Sequence, residues 1–277
     1  MDRVALVTGA TRGLGLGVVE VLAARLDDDD LVYLTGRDPS RVAAALASIS
    51  APRARVMTEL IDVASDESVA EAAARLADRH GSLDIVISNA YSRVLPGDRP
   101  AEVIAGYVET NNLGTTRVLR AVAPMLGDGG TLLVVASTLG TLHYLAPVLH
   151  RRFDDLATLE DVDAAVVRWR EAVLDGTAVA QGWPAFVNIP SKIAQVSAVR
   201  TLAALRRDSD RERGILLGAV CPGMIDTGAS RPWFDMSGAQ TPIQAAEPLV
   251  DLALRSSLDE RMYGELVRFG QVLPWKP

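Results

Sequence analysis

The residues whose types and spacing point most directly to chemistry lie near the start of this 277-residue chain. An apolar run ends in Thr8-Gly9-Ala10-Thr11-Arg12-Gly13-Leu14-Gly15. The glycines let the backbone turn tightly and approach a diphosphate, while a helix beginning near Gly13 directs its free N–H groups at the anion. Turns also need glycine, so the cluster is informative because it falls between a strand and a helix. Arg37 follows Gly15 by 22 residues, close to the spacing of the ribose contact in a dinucleotide site. An acidic residue there suits NAD. An arginine suits a 2′-phosphate, which guanidinium grips through paired hydrogen bonds. Arg12, inside the turn, adds a second positive charge. Either arginine alone reads as a surface charge; together they make NADP(H) the expected cofactor. Asp38 has two open readings, a ribose contact or the cap of the next helix. Cys221 is the only cysteine, and His80, His143 and His150 lack metal-ligand spacing, so neither a disulfide nor a metal site is expected.

The elements that must position these residues follow from apolar periodicity. Strands are predicted over Val4–Thr8, Leu31–Leu34, Arg55–Leu60, Asp84–Ser88, Thr131–Ala136, Ile215–Cys221 and Glu265–Phe269. Helices are predicted over Gly13–Leu26, Ser40–Ile49 behind Asp38-Pro39, and Ser65–Arg79, where Ser65 caps and Asp66 and Glu67 suit the positive end. Alternating helices and near-continuous apolar strands imply an α/β fold with a doubly wound parallel sheet. With no repeat, linker or composition break, 1–277 reads as one domain. Asp27–Asp30 reads as a solvated loop. Hydrophobic residues make up 49% and charged residues 23%, which excludes disorder. The net charge of −7 and the lack of a basic run argue against nucleic acid. No apolar stretch approaches the roughly 20 residues of a membrane span, and the start lacks the pattern of a signal peptide. The expectation is a cytoplasmic protein acting on a small molecule, away from nucleic acid and membranes.

In order along the chain, these and further motifs resemble those of the short-chain dehydrogenase/reductase family. Gly9, Thr11, Arg12, Gly13, Leu14 and Gly15 match its cofactor loop, and Asp62-Val63 resembles its adenine-contacting pair. Ser88-Asn89-Ala90 resembles its Asn-Asn-Ala-Gly segment, so that Asn89 and Ala90 are implied cofactor contacts, with Tyr91 where glycine is usual. Asn111 resembles the helix asparagine that holds a water of the proton relay. Ser137 and Lys192 resemble the catalytic serine and lysine, the latter also gripping the nicotinamide ribose. Pro222-Gly223-(x3)-Thr227, with Ile225 inside it, resembles the nicotinamide-side loop. The resemblance implies a Rossmann-type fold. Its nearest layout is that of monomeric carbonyl reductases, because Ser137 and position 188 are 51 residues apart. The segment 141–184 is then a helical insert before the active-site helix. Within it Thr158–Leu174 carries Val162, Ala165, Val166, Trp169 and Val173 at helical spacing, with Thr158 and Asp161 as a capping box and Gly176 as the stop. In those reductases the insert covers a surface used elsewhere for oligomerisation, so a monomer is expected.

One residue departs from the pattern. The family's active-site helix carries Tyr-x-x-x-Lys; here the register reads Asn188-Ile189-Pro190-Ser191-Lys192. In the family that tyrosine protonates the carbonyl oxygen as hydride reaches carbon. Asparagine has no proton to give near neutral pH, although it donates a hydrogen bond to a developing oxyanion. Asn188 reads either as a helix cap or as a polar contact to substrate or cofactor. Tyr144, His143 and Tyr91 are candidate replacement acids, each with ordinary packing as the simpler role. Trp183 and Met224 are either pocket walls or core, and Cys221 a small buried hydrophobe. Three functions stay open. The first is an NADPH-dependent reductase of an activated C=C bond, an iminium or a carbonyl. The others are a non-redox enzyme on the same scaffold and a silent NADP-binding protein.

Overall fold

The computed structural model describes residues 2–255, 257 and 259–277. Eight strands form one sheet in the order β3-β2-β1-β4-β5-β6-β7-β8. They are β1 (Val4–Val7), β2 (Leu31–Gly36), β3 (Arg55–Leu60), β4 (Leu83–Ser88), β5 (Leu126–Val135), β6 (Leu216–Val220), β7 (Leu266–Arg268) and β8 (Gln271–Leu273). All pair in parallel except β7 with β8. The apolar runs Val4–Val7 and Leu216–Val220 are buried at every position, as strands covered on both faces must be. The last predicted strand needs correction. It ends at Arg268, because Phe269 and Gly270 both take positive φ (48° and 76°) and turn the chain back into β8. Two such residues form the tight hairpin turn whose twist matches its strands.

The eight α-helices among the described residues lie on both faces. They are α1 (Gly13–Arg25), α2 (Pro39–Ser48), α3 (Asp66–His80), α4 (Pro100–Val108), α5 (Gly114–Val122), α6 (Leu159–Leu174), α7 (Asn188–Glu212) and α8 (Pro242–Ala253). One core cluster joins α1, α2 and α8 to one face of the sheet, through residues such as Val18, Leu22, Val42 and Leu249. A larger one packs α3 to α7 on the other. Caps read from sequence recur here: Asp38 accepts from the amides of Ser40 and Arg41 (2.9 and 3.1 Å), and Ser65 from that of Ser68 (3.2 Å). Asp38 therefore caps α2.

The segment before α7 carries α6, started by a complete Thr158–Asp161 capping box and followed by Gly176 at φ 77°. Its apolar stripe packs against α4 and α7. Trp169 is fully buried there, with its ring centroid 6.2 Å from that of Trp183, which itself meets Phe153 at 6.0 Å. Trp183 is thus core rather than pocket wall. Trp169→Ala is expected to cost about 3–5 kcal/mol, because the surrounding core cannot collapse into so large a void. Chemical denaturation would measure it as a lower midpoint with an unchanged slope.

Candidate active site

The sheet order reverses between β1 and β4, and in a doubly wound sheet the crevice outside the C-terminal strand ends at such a point receives ligands. Two loops meet there. Thr8 Oγ1 accepts from the amides of Asn89 and Ala90 (2.9 and 3.1 Å), and Asn89 Nδ2 donates to the carbonyls of Thr8 and Gly9 (3.0 and 3.1 Å). Asn89 thus holds the glycine loop in shape. Gly9 is required there twice over: its φ is +62°, and a Cβ on it would lie 2.6 Å from Ala90 Cα.

The result is a cleft of about 320 Å³. Among the residues named from sequence, Gly9, Thr11, Arg12, Arg37, Asp62, Val63 and Ala90 line it, as do Tyr91 and Asp38, the cap of α2. Arg41 and Arg93 line it as well. Neither was anticipated; Arg41 lies in the first turn of α2, four residues after Arg37. Arg41 Nε sits 3.7 Å from Asp38, and Arg93 donates to the Gly228 carbonyl at 2.8 Å. The start of α1 is built for an anion. Arg12 occupies its cap position with no side-chain cap bond, and its first turn holds no acidic residue. Gly13 and Leu14 lie in that turn beside Gly15, and Thr227 is close enough that a Cβ on Gly13 would meet its Cγ2 at 3.5 Å. A phosphate chain fits this donor set: open N–H groups, the positive helix end and four guanidinium groups along one cleft. The loop with Pro222, Gly223 and Ile225 is fastened from behind. Gln240 Nε2 donates to the Pro222 carbonyl (3.2 Å), and Ile225 is buried.

Beyond Tyr91 the site is built on α7. Asn188 does not cap this helix. Val187 holds the cap position, and the Asn188 side chain turns aside to accept from two phenols. Tyr91 Oη donates to Asn188 Oδ1 at 2.7 Å, and Tyr107 Oη donates to the same oxygen. Both phenols converge on Oδ1, which leaves the amide NH2 group for another partner. Tyr107, on α4, is buried and escaped the sequence reading because an apolar helix face is an ordinary place for tyrosine. Burial raises the Tyr91 hydroxyl above its usual range and Tyr107 well above it, so both stay protonated donors. Tyr144, named as a candidate acid, is 47% exposed, and the phenols that reach Asn188 are Tyr91 and Tyr107.

Lys192 lies one turn along α7, its Nζ 5.1 Å from the Tyr91 ring centroid. Burial lowers its pKa to about 8. It donates to the Val135 carbonyl (3.1 Å) and to Gln195 Oε1 (2.7 Å). Ser137 follows β5 and accepts from the Leu139 amide (3.3 Å), starting a turn whose Gly140 packs directly on the Lys192 backbone. The side chain of Asn111 is spent on the backbone of Ser92 (2.7 and 2.9 Å). Its carbonyl, in the π-helical turn Glu109–Leu113, accepts from Gln195 Nε2 (2.9 Å). The link from Lys192 to Asn111 thus runs through a carboxamide, which gives and takes hydrogen bonds without passing a proton. Chemically, the arrangement offers an anion cradle leading to one ammonium, one hydroxyl and one amide NH2, with phenols as its proton carriers.

Comparison with known proteins bears on the family and the fold. The profile of the short chain dehydrogenase family matches residues 3–148. The chain is 29% identical to the NADPH carbonyl reductase 1 of Sus scrofa over 99% of its own length and 94% of that protein's. It is 30% identical to that of Macaca fascicularis, over 99% and 98%. In fold it is similar to menthone neomenthol reductase from Mentha piperita (TM-score 0.77, 22% identity, covering 98% of this chain and 100% of that one). It is also similar to NADPH-bound carbonyl reductase from chicken fatty liver (TM-score 0.70, 23% identity, 99% of each). With its doubly wound sheet, its glycine turn and these relatives along nearly its full length, the chain belongs to the short chain dehydrogenase family.

Proposed function

We propose that this protein is an NADPH-dependent reductase of a small molecule, working with an active site that lacks the family's tyrosine acid at position 188. The observation that carries the reading is a single cleft running from Arg12, Arg37 and Arg41 past the α1 N-terminus to Tyr91, whose hydroxyl meets Asn188. The arginines hold the 2′-phosphate, the α1 amides the diphosphate, and Asp62 and Val63 the adenine. Lys192 would hold the nicotinamide ribose. When bound, the cofactor supplies hydride from its nicotinamide ring. Ser137 Oγ and the Asn188 NH2 group orient and polarise the acceptor, in the manner of an oxyanion hole. Asn188 gives no proton, and the Gln195 amide carries none from the interior.

This chemistry suits acceptors whose reduction does not depend on a phenol at position 188. One is an activated C=C bond, protonated at carbon. Another is an iminium, which hydride alone completes. A third is a carbonyl for which Tyr91 is the donor. Single-turnover mixing of NADPH-loaded protein with enones, iminium compounds and aldehydes tests this, following NADPH absorbance and product together. Stoichiometric oxidation with one class is expected. Product formed while NADPH stays unoxidised would overturn the reading in favour of a non-redox step. Binding of NADPH with no turnover of any class would leave a nucleotide-binding protein.

A further inference from the structure

Lys192 and Gln195 stand three residues apart on α7 and so share a face. The ammonium donates to Gln195 Oε1 at 2.7 Å, while Gln195 Nε2 donates to the Asn111 carbonyl at 2.9 Å and to Thr115 Oγ1 at 3.1 Å. Gln195, Asn111 and Thr115 are all buried. One amide therefore ties the lysine to the π-helical turn and to the start of α5. Its orientation is forced: flipping it would set an NH2 group against an NH3⁺ group and leave the Asn111 carbonyl facing oxygen.

What surrounds Lys192 makes this tie consequential. The groups that face it are the Val135 carbonyl from β5, the ring of Tyr91 from the loop after β4, and the thiol of Cys221 at the end of β6. Position 188, one turn back on the same helix face, offers an amide whose oxygen is already taken by two phenols. Among the described residues, Gln195 is the one side chain that accepts from Nζ. We propose that Gln195 is a positioning residue for Lys192, holding the ammonium beside the Tyr91 ring with a neutral acceptor where, among the described residues, no carboxylate pairs with it. This rests on the reading of Lys192 as the ribose ligand only for its consequence in cofactor binding, not for the contact itself.

The test uses the intact chain. Lys192 and Lys276 are its only lysines, so protein labelled with 13C at the lysine ε-carbon gives two resonances. Lys276 pairs with Asp154 at 2.7 Å near the C-terminus and serves as the internal reference. Gln195→Glu places a carboxylate against the ammonium and is expected to raise the Lys192 midpoint by about 1–3 units, with Lys276 unmoved. Gln195→Met removes the acceptor and is expected to lower the Lys192 midpoint and weaken NADPH binding roughly tenfold. A Lys192 midpoint unchanged in Gln195→Glu would overturn the proposal, whether or not the Met variant folds. Midpoints that move as expected with unaltered NADPH affinity would support the positioning role and refute the ribose assignment of Lys192.

Discussion

Asn188→Tyr is expected to raise turnover of simple ketones by about 10²-fold or more, the range that a positioned general acid contributes. The substitution restores a phenol four residues before Lys192 on the same helix face. The Lys192 ammonium would favour its ionised form and so make it the better proton donor at neutral pH. The structure also states what opposes the gain. Tyr107 is buried and donates to Asn188 Oδ1, and Tyr91 donates to it at 2.7 Å. Removing that acceptor leaves a buried hydroxyl to be paired anew, at a cost of about 1–3 kcal/mol in stability. Tyr91 also fills space where the family has glycine, so Asn188→Tyr with Tyr91→Gly is expected to exceed the single variant. Asn188→Phe, which adds the ring without a proton, is the control and should gain nothing. Steady-state assays on 2-ketones and aldehydes decide the matter. A folded Asn188→Tyr variant no faster than Asn188→Phe would place the departure from the family in the pocket, not in the missing acid.

Arg37→Ala is expected to weaken NADPH binding by about 1.5–3 kcal/mol, or roughly 10- to 150-fold, while leaving NADH binding nearly unchanged. The difference follows from where the charges sit. Arg12, Arg37 and Arg41 line the cleft beyond β1 and β2, and Asp38 is committed to capping α2. Arg41 spends part of its charge on Asp38 at 3.7 Å, so Arg41→Ala should have the smaller effect. Arg12, Arg37 and Arg41 are all exposed, and the contrast between the nucleotides should shrink as salt is raised. Fluorescence titration with both nucleotides measures the ratio. Equal losses for NADPH and NADH would refute the 2′-phosphate assignment.

Much of the architecture was legible from residue order because its signals are local. Buried strands announce themselves as unbroken apolar runs, and Asp38-Pro39, Ser65 and Thr158–Asp161 carry their helix starts within four residues. The β7–β8 hairpin was missed because its turn is Phe269-Gly270, and a bulky residue at positive φ is not a recognised turn signal. Asn188 as a cap was an equally local expectation, and it failed for a non-local reason. The two phenols that claim its side chain lie 97 and 81 residues away along the chain.

That division holds for the protein as a whole. Residue order by itself determined the alternating α/β topology, the glycine turn with its arginines, and the absence of a tyrosine four residues before Lys192. Hydrophobic periodicity, backbone sterics and side-chain chemistry act over a few residues, so reading them needs no third dimension. Only the tertiary structure decided which groups fill the gap. It brought Tyr91 and Tyr107 onto Asn188, Gln195 between Lys192 and Asn111, and Arg41 and Arg93 onto the cleft. Those contacts depend on how helices cross on the sheet, and the crossing is set by the summed packing of two whole cores rather than by any short stretch of the chain.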